Sequence, residues 1–190
     1  MCIRDRGVFG AGGTNAPDSY EDRTNVTNEW DGSSWTSTGN INTVRDWVSG
    51  GGPQTSGIIF GGDEPPGPPH VYSNKTEEYN GSAWTVGGIL ATARYSGGGS
   101  ASSSSDALFY AGLSASGTPG ARANTEGYDG TAWSTRPSMS TARGYVGYAG
   151  KSSTAAIVIG GDTIAPSVQT ATEEFTGSVE TVTAKTLTTS

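Results

Sequence analysis

Three arginines, Arg45, Arg94 and Arg143, stand 49 and 49 residues apart, and an aromatic follows each within two residues: Trp47, Tyr95 and Tyr145. Guanidiniums presented beside aromatic rings are suited to an anionic sugar, which they would hold by paired hydrogen bonds and by stacking. The same arginines have a plainer use, tying one repeat to the next through backbone carbonyls. Glutamates also recur by repeat (Glu77, Glu78, Glu126, Glu173 and Glu174), so their placement follows the repeat and does not converge on one centre. Pairing with the repeated arginines between one unit and the next is their expected role.

The remaining chemistry-bearing residues are few. His70 is the sole histidine and sits in the proline-rich run PPGPPH at 65–70, where an exposed loop residue is expected. Cys2 is the sole cysteine, which excludes a disulfide framework and a cysteine-based zinc site. No Asp-x-Asp-x-Asp-Gly calcium loop occurs. The triplets Gly50–Gly52 and Gly97–Gly99 look like phosphate-cradling loops, but neither a helix nor a lysine follows them. No catalytic residue, metal ligand or cofactor is therefore expected.

The elements that must position these residues are set by a repeat. Trp35, Trp84 and Trp133 are again 49 and 49 apart, and Gly13, Gly62, Gly112 and Gly161 keep the phase to within one residue. Each unit predicts four short strands. The first is small and Gly-rich (48–54, 95–101, 145–151), and the second is an apolar run ending in paired small residues (57–62, 107–112, 156–161, with 8–13 the same element). The third carries acid and aromatic (28–32, 77–81, 126–130, 173–177), and the fourth opens on the tryptophan (33–38, 82–87, 131–136). Between third and fourth strands, Asp31-Gly32, Asn80-Gly81 and Asp129-Gly130 predict two-residue type I′ hairpins with positive φ at both centres.

In the di-glycine after an apolar strand, the aromatic ahead of a tryptophan and the period near 50, the chain resembles kelch and galactose-oxidase-like β-propellers. The wording TEEYNGSAWT at 76–85 is further similar to repeat proteins of marine phages and environmental bacteria. The resemblance covers residues 7–190 and implies an all-β propeller with blades at about 7–44, 45–93, 94–142 and 143–190. Each blade would have four antiparallel strands, the first lacking its inner strand. A fragment of a larger ring is expected. Glycines on the inner strands would relieve crowding at the axis, and the outer aromatics would fill the wider gaps between blades. Residues 1–6 fit neither the repeat nor a signal peptide and read as a non-native leader. Copper chemistry of the oxidase type needs two histidines and a cysteine-linked tyrosine, so one histidine excludes it.

A net charge of −7 argues against nucleic acid and anionic membrane as partners. The expected function is a non-enzymatic propeller module for recognition or structural display, binding a glycan or a protein, in a virion or at a cell surface. Arg45, Arg94, Arg143, Trp47, Tyr95 and Tyr145 would form the binding face together with the variable loops at 14–25, 63–73, 113–123 and 162–170. Open blade edges would permit self-association. The competing expectation is an enzyme similar to the kelch-fold sialic acid mutarotases, which would require an acid/base set converging at one channel mouth.

Overall fold

A computed structural model of the chain describes residues 7–10 (backbone), 23–65, 69–114, 120–163 and 169–177. The leader at 1–6, Gly13 and parts of all four variable loops lie outside the described residues. The protein is all-β: no α-helix occurs among the described residues, and so none is long and apolar enough to cross a membrane.

Four antiparallel sheets follow one another along the chain, each a meander. Sheet one holds β1 (Gly7–Gly10), β2 (Thr27–Trp30) and β3 (Trp35–Thr38). Sheet two holds β4 (Ser49–Gly51), β5 (Gly57–Phe60), β8 (Thr76–Tyr79) and β9 (Trp84–Val86). The small ribbon β6 (Asp63–Glu64) with β7 (Val71–Tyr72) rises from its β5–β8 connection. Sheet three holds β10 (Gly98–Ser103), β11 (Asp106–Tyr110), β12 (Thr125–Tyr128) and β13 (Trp133–Arg136). Sheet four holds β14 (Gly147–Ser152), β15 (Ala155–Ile159) and β16 (Thr172–Thr176).

The apolar second strands β5 and β11 are short unbroken runs because both of their faces are covered, whereas β15 leaves Ile159 exposed. Ile59 points into a cluster with Ile41, Tyr79 and Trp84, whereas Ile58 and Phe60 point the other way, against Ala107, Phe109 and Tyr128. One sheet later, Leu108 and Tyr110 meet Val146, Ala156 and Val158. The core is thus a series of layers between successive sheets. Outer aromatics latch each layer with a polar tip. Trp84 Nε1 donates to Thr27 Oγ1 at 2.9 Å, and Trp133 Nε1 to Thr76 Oγ1 at 2.8 Å, each reaching the preceding sheet. The Tyr79 hydroxyl donates to Glu29, and the Tyr128 hydroxyl to Glu78.

The innermost strands β4, β10 and β14 lie side by side with little between them. A Cβ added at Gly99 would fall 3.0 Å from the Gly50 nitrogen, and one at Gly150 would fall 2.4 Å from Ser100 Cβ. Small residues there let the backbones approach.

Two details depart from the expected geometry. The third-to-fourth strand connections are four residues long, since Trp30 pairs with Trp35, Tyr79 with Trp84 and Tyr128 with Trp133. Only the glycine of each turn has positive φ (Gly32 +100°, Gly81 +95°, Gly130 +93°). The leading Asp or Asn accepts hydrogen bonds from the amides two and three residues on, as at Asn80 Oδ1 from Ser82 and Ala83 (3.0 Å each), and this side-chain capping displaces the type I′ turn. The inner strands β10 and β14 also begin two or three residues late. Ser96 and Tyr145 hold left-handed φ of +52° and +51°, which interrupts the extended chain ahead of them.

Candidate functional site

Arg45, Arg94 and Arg143 lie in the connection leading into each inner strand, and all three side chains are fully buried. Each reaches the third strand of its own sheet: Arg45 to Glu77 at 3.1 Å, Arg94 to Glu126 at 3.0 Å, and Arg143 to Glu173. The terminal nitrogens of each guanidinium also donate to backbone carbonyls, Arg45 adding a bond to Ser73 Oγ, while each Nε has no hydrogen-bond partner among the described residues. Arg94 bonds Asn124 O at 2.8 Å, Ala111 O at 3.2 Å and Phe109 O at 3.3 Å, with its guanidinium carbon 4.3 Å from the Phe109 ring centroid. Burial pushes the Arg94 guanidinium down to about 10 despite the opposing pull of Glu126, and it lowers Arg45 likewise. The partner glutamates also clasp the connection itself. Glu77 accepts from the amides of Asn42 and Thr43, Glu126 from Ala91, and Glu173 from Ser140. These arginines therefore anchor each connection to the sheet it enters and present no guanidinium to solvent.

The residues just after the arginines behave differently. Trp47, Ser96 and Tyr145 occupy the same rung, two past the arginine, and share left-handed φ of +53°, +52° and +51°. A backbone ladder links the rungs, with Ser96 N–H donating to Trp47 O at 3.2 Å and Tyr145 N–H to Ser96 O at 3.0 Å. Left-handed geometry is uncommon for any non-glycine residue and is an outlier for a bulky one. Trp47 (56% exposed) and Tyr145 (46%) flank small Ser96 and meet across it, ring centroids 5.9 Å apart at 74°. Tyr95, one rung earlier and mostly buried, completes a triangle with centroids 6.4 Å from Trp47 (81°) and 6.3 Å from Tyr145 (84°). The three sequence-predicted aromatics are thus brought together, without the three arginines.

A second group, which does not recur as a set, joins this rim. Asp46 and Asp63 are bridged backbone to backbone (2.9 and 3.1 Å). Arg23 pairs with both of their carboxylates, its Nε 3.0 Å from Asp46 Oδ2 and its Nη2 2.7 Å from Asp63 Oδ2. His70 Nδ1 lies 2.6 Å from the same Asp63 oxygen. The His70 ring stacks on Tyr72 (5.8 Å, 9°), and Tyr72 stacks on Tyr95 (4.9 Å, 9°), so the column ends in the aromatic triangle. His70, expected as an exposed loop residue, is instead partly buried and held on both sides. The sequence signal was available in the acid at Asp46, beside Arg45, and in Asp63, after the Gly61-Gly62 pair and repeated as Asp162 after Gly160-Gly161.

Burial raises the Asp46 carboxyl above its ordinary value, Arg23 opposes the rise, and Asp63 adds to it. Tyr95 is pushed above the usual phenol range by burial and by the Tyr145 hydroxyl, so its ring is that of a neutral phenol at physiological pH. The buried atoms Asp46 Oδ1, Asp63 Oδ1 and Ser96 Oγ have no hydrogen-bond partner among the described residues. No cluster of three or more His, Cys, Asp or Glu side chains suited to a metal ion occurs among them either. The rim can stack rings or alkyl groups and can accept hydrogen bonds at carboxylates.

A separate cavity of about 740 Å³ between sheets three and four is lined in part by Tyr110, Met139, Val158 and Phe175. Comparison with protein-family models and with curated proteins found no match for this chain.

Proposed function

We propose that the chain forms blades of a kelch-type β-propeller and serves as a non-enzymatic module for recognition or structural display, its aromatic rim contacting a glycan or protein. The propeller reading is supported by meandering sheets at a 49-residue period, layered in series with glycine-rich inner strands and aromatic outer ones. The repeat wording at 76–85 favours a virion or cell-surface setting. One observation carries the functional part: two large aromatics, Trp47 and Tyr145, stay exposed at strained left-handed positions while the repeated arginines are buried in ion pairs inside the fold. Strain of this kind persists where surrounding structure enforces it, and it clusters at binding sites. A glycan and protein array probed with wild type and Trp47→Ala tests this. Binding that the substitution removes while the fold is retained supports recognition, and silence on both arrays leaves display alone.

The enzymatic alternative has one observation in its favour, the contact of His70 with Asp63 beside Arg23, since a histidine oriented by a carboxylate is the usual general base. NMR of free sialic acid anomers tests it. Anomer exchange accelerated by wild type and abolished by His70→Ala would displace the non-enzymatic reading.

A further inference from the structure

We infer that the rim binds a ligand bearing a quaternary ammonium group, seated in the corner formed by Trp47, Tyr95 and Tyr145. This rests on the recognition reading above and assigns the chemistry of its ligand. Three rings at 74–84° to one another, with centroids 5.9–6.4 Å apart, make the three walls of a box corner. Direct edge-to-face pairs span about 4.5–7 Å, and the core pair Phe60 and Trp133 sits at the close end, 4.9 Å at 74°. A cation in the corner would lie about 4.4 Å from each centroid (the mean spacing divided by √2), well within the ~6 Å reach of a cation–π contact.

Electrostatics selects the sign of that guest. Asp46 adjoins Trp47 in the chain, and Asp63 is near enough to Tyr95 to disfavour its phenolate. Two carboxylates face one guanidinium, that of Arg23, with the His70 ring also on Asp63, and each keeps one buried oxygen without a hydrogen-bond partner among the described residues. The guanidiniums that would have drawn an anion to this face, those of Arg45, Arg94 and Arg143, are fully buried. A trimethylammonium group needs no hydrogen bonds of its own, fits between aromatic faces and is attracted by the acids behind them.

Choline titrated into the full chain, followed by calorimetry, tests the proposal against 3,3-dimethylbutan-1-ol, its uncharged isostere. The expected result is saturable choline binding, at least about tenfold weaker for the isostere, and weakened about tenfold or more by Trp47→Ala or Tyr145→Ala. Trp47→Phe, which keeps an aromatic wall, should retain part of the affinity, and a thermal melt confirms that each variant folds. Equal binding of the isostere, or choline binding indifferent to Trp47→Ala, overturns the proposal. Failure of choline alongside a neutral glycan that binds in a Trp47-dependent way refutes the ammonium assignment and leaves the recognition reading standing. Failure of choline with no Trp47-dependent ligand on either array refutes both.

Discussion

Replacing Arg94 by methionine separates the two uses that a repeated arginine can have. The substitution keeps most of the volume and removes the charge. It leaves the Glu126 carboxylate, whose side chain is 5% exposed, with the Ala91 amide as its remaining donor, and it takes a donor from the carbonyls of Phe109, Ala111 and Asn124. Breaking one side of a buried ion pair costs about 3–5 kcal/mol, because the surviving charge is uncompensated. Adding Glu126→Gln removes that charge while keeping an acceptor for Ala91. The double variant should therefore recover about 1–2 kcal/mol, leaving a deficit of roughly 1 kcal/mol per lost carbonyl bond. Urea unfolding followed by fluorescence of the buried Trp84 reads both numbers from midpoints at constant slope. Non-additivity is the signature: the double variant should be more stable than Arg94→Met alone. A cost below about 1 kcal/mol for Arg94→Met, or strictly additive losses, would refute the anchor and return Arg94 to the surface. The series should also be graded, since the Glu77 side chain is 1% exposed and that of Glu173 is 23%. Arg45→Met should match Arg94→Met, and Arg143→Met should cost visibly less.

Other expectations follow from the same geometry. At the left-handed position 47, Trp47→Gly should be more stable than Trp47→Ala by about 1 kcal/mol in thermal melts, the reverse of the order in a strand. Trp133→Phe removes the bond to Thr76 and should cost about 1 kcal/mol or somewhat more, whereas Trp35→Phe, on an exposed ring, should be nearly neutral by the same melts. Gly150→Val would press a side chain onto Ser100 and should lower stability by about 1–3 kcal/mol, measured by urea midpoint. In acid, burial raises Glu173, but bonds from Ser140 and Arg143 outweigh it and hold the group below its ordinary 4.5; Asp106 is likewise held low by Ser102 and Ser153. The unfolded chain then takes up these protons first, so stability should fall as pH drops from about 5 to about 3, with a shallower fall in Glu173→Gln. Midpoints unchanged across that range would contradict the shifts.

Much of the fold could be read in the sequence because it is periodic. Strand positions follow from apolar runs and glycine pairs that recur with the tryptophans, and the all-β class follows from them. The details that escaped are those decided by local competition. A side-chain carboxylate or amide capping two amides changed the hairpin turn, and a left-handed residue delayed the inner strands. The site was legible only in part. Trp47, Tyr95 and Tyr145 were placed by their nearness to the arginines, but the burial of those arginines depends on where Glu77, Glu126 and Glu173 fall on the third strand. That register is tertiary information. Arg23, Asp46, Asp63, His70 and Tyr72 come together only because the β6–β7 ribbon folds back onto the connection that leads into β4.

The periodic and the singular residues divide the work. Every repeated charged residue on the third strands of sheets two and three is tied to the framework: Glu77 and Glu126 to arginines of their own sheet, and Glu78 to a tyrosine of the next. A framework satisfied in this way leaves its variable positions free to differ from unit to unit. The left-handed rung shows the consequence. The backbone ladder requires the same φ at Trp47, Ser96 and Tyr145 but places no demand on side-chain size, and two of the three positions carry large rings. Had Ser96 been large as well, Trp47 and Tyr145 could not meet across it, and Tyr95 would be covered. The alternation of large, small and large on an otherwise uniform rung opens the corner, and it is what distinguishes this face from a repeat that only stacks.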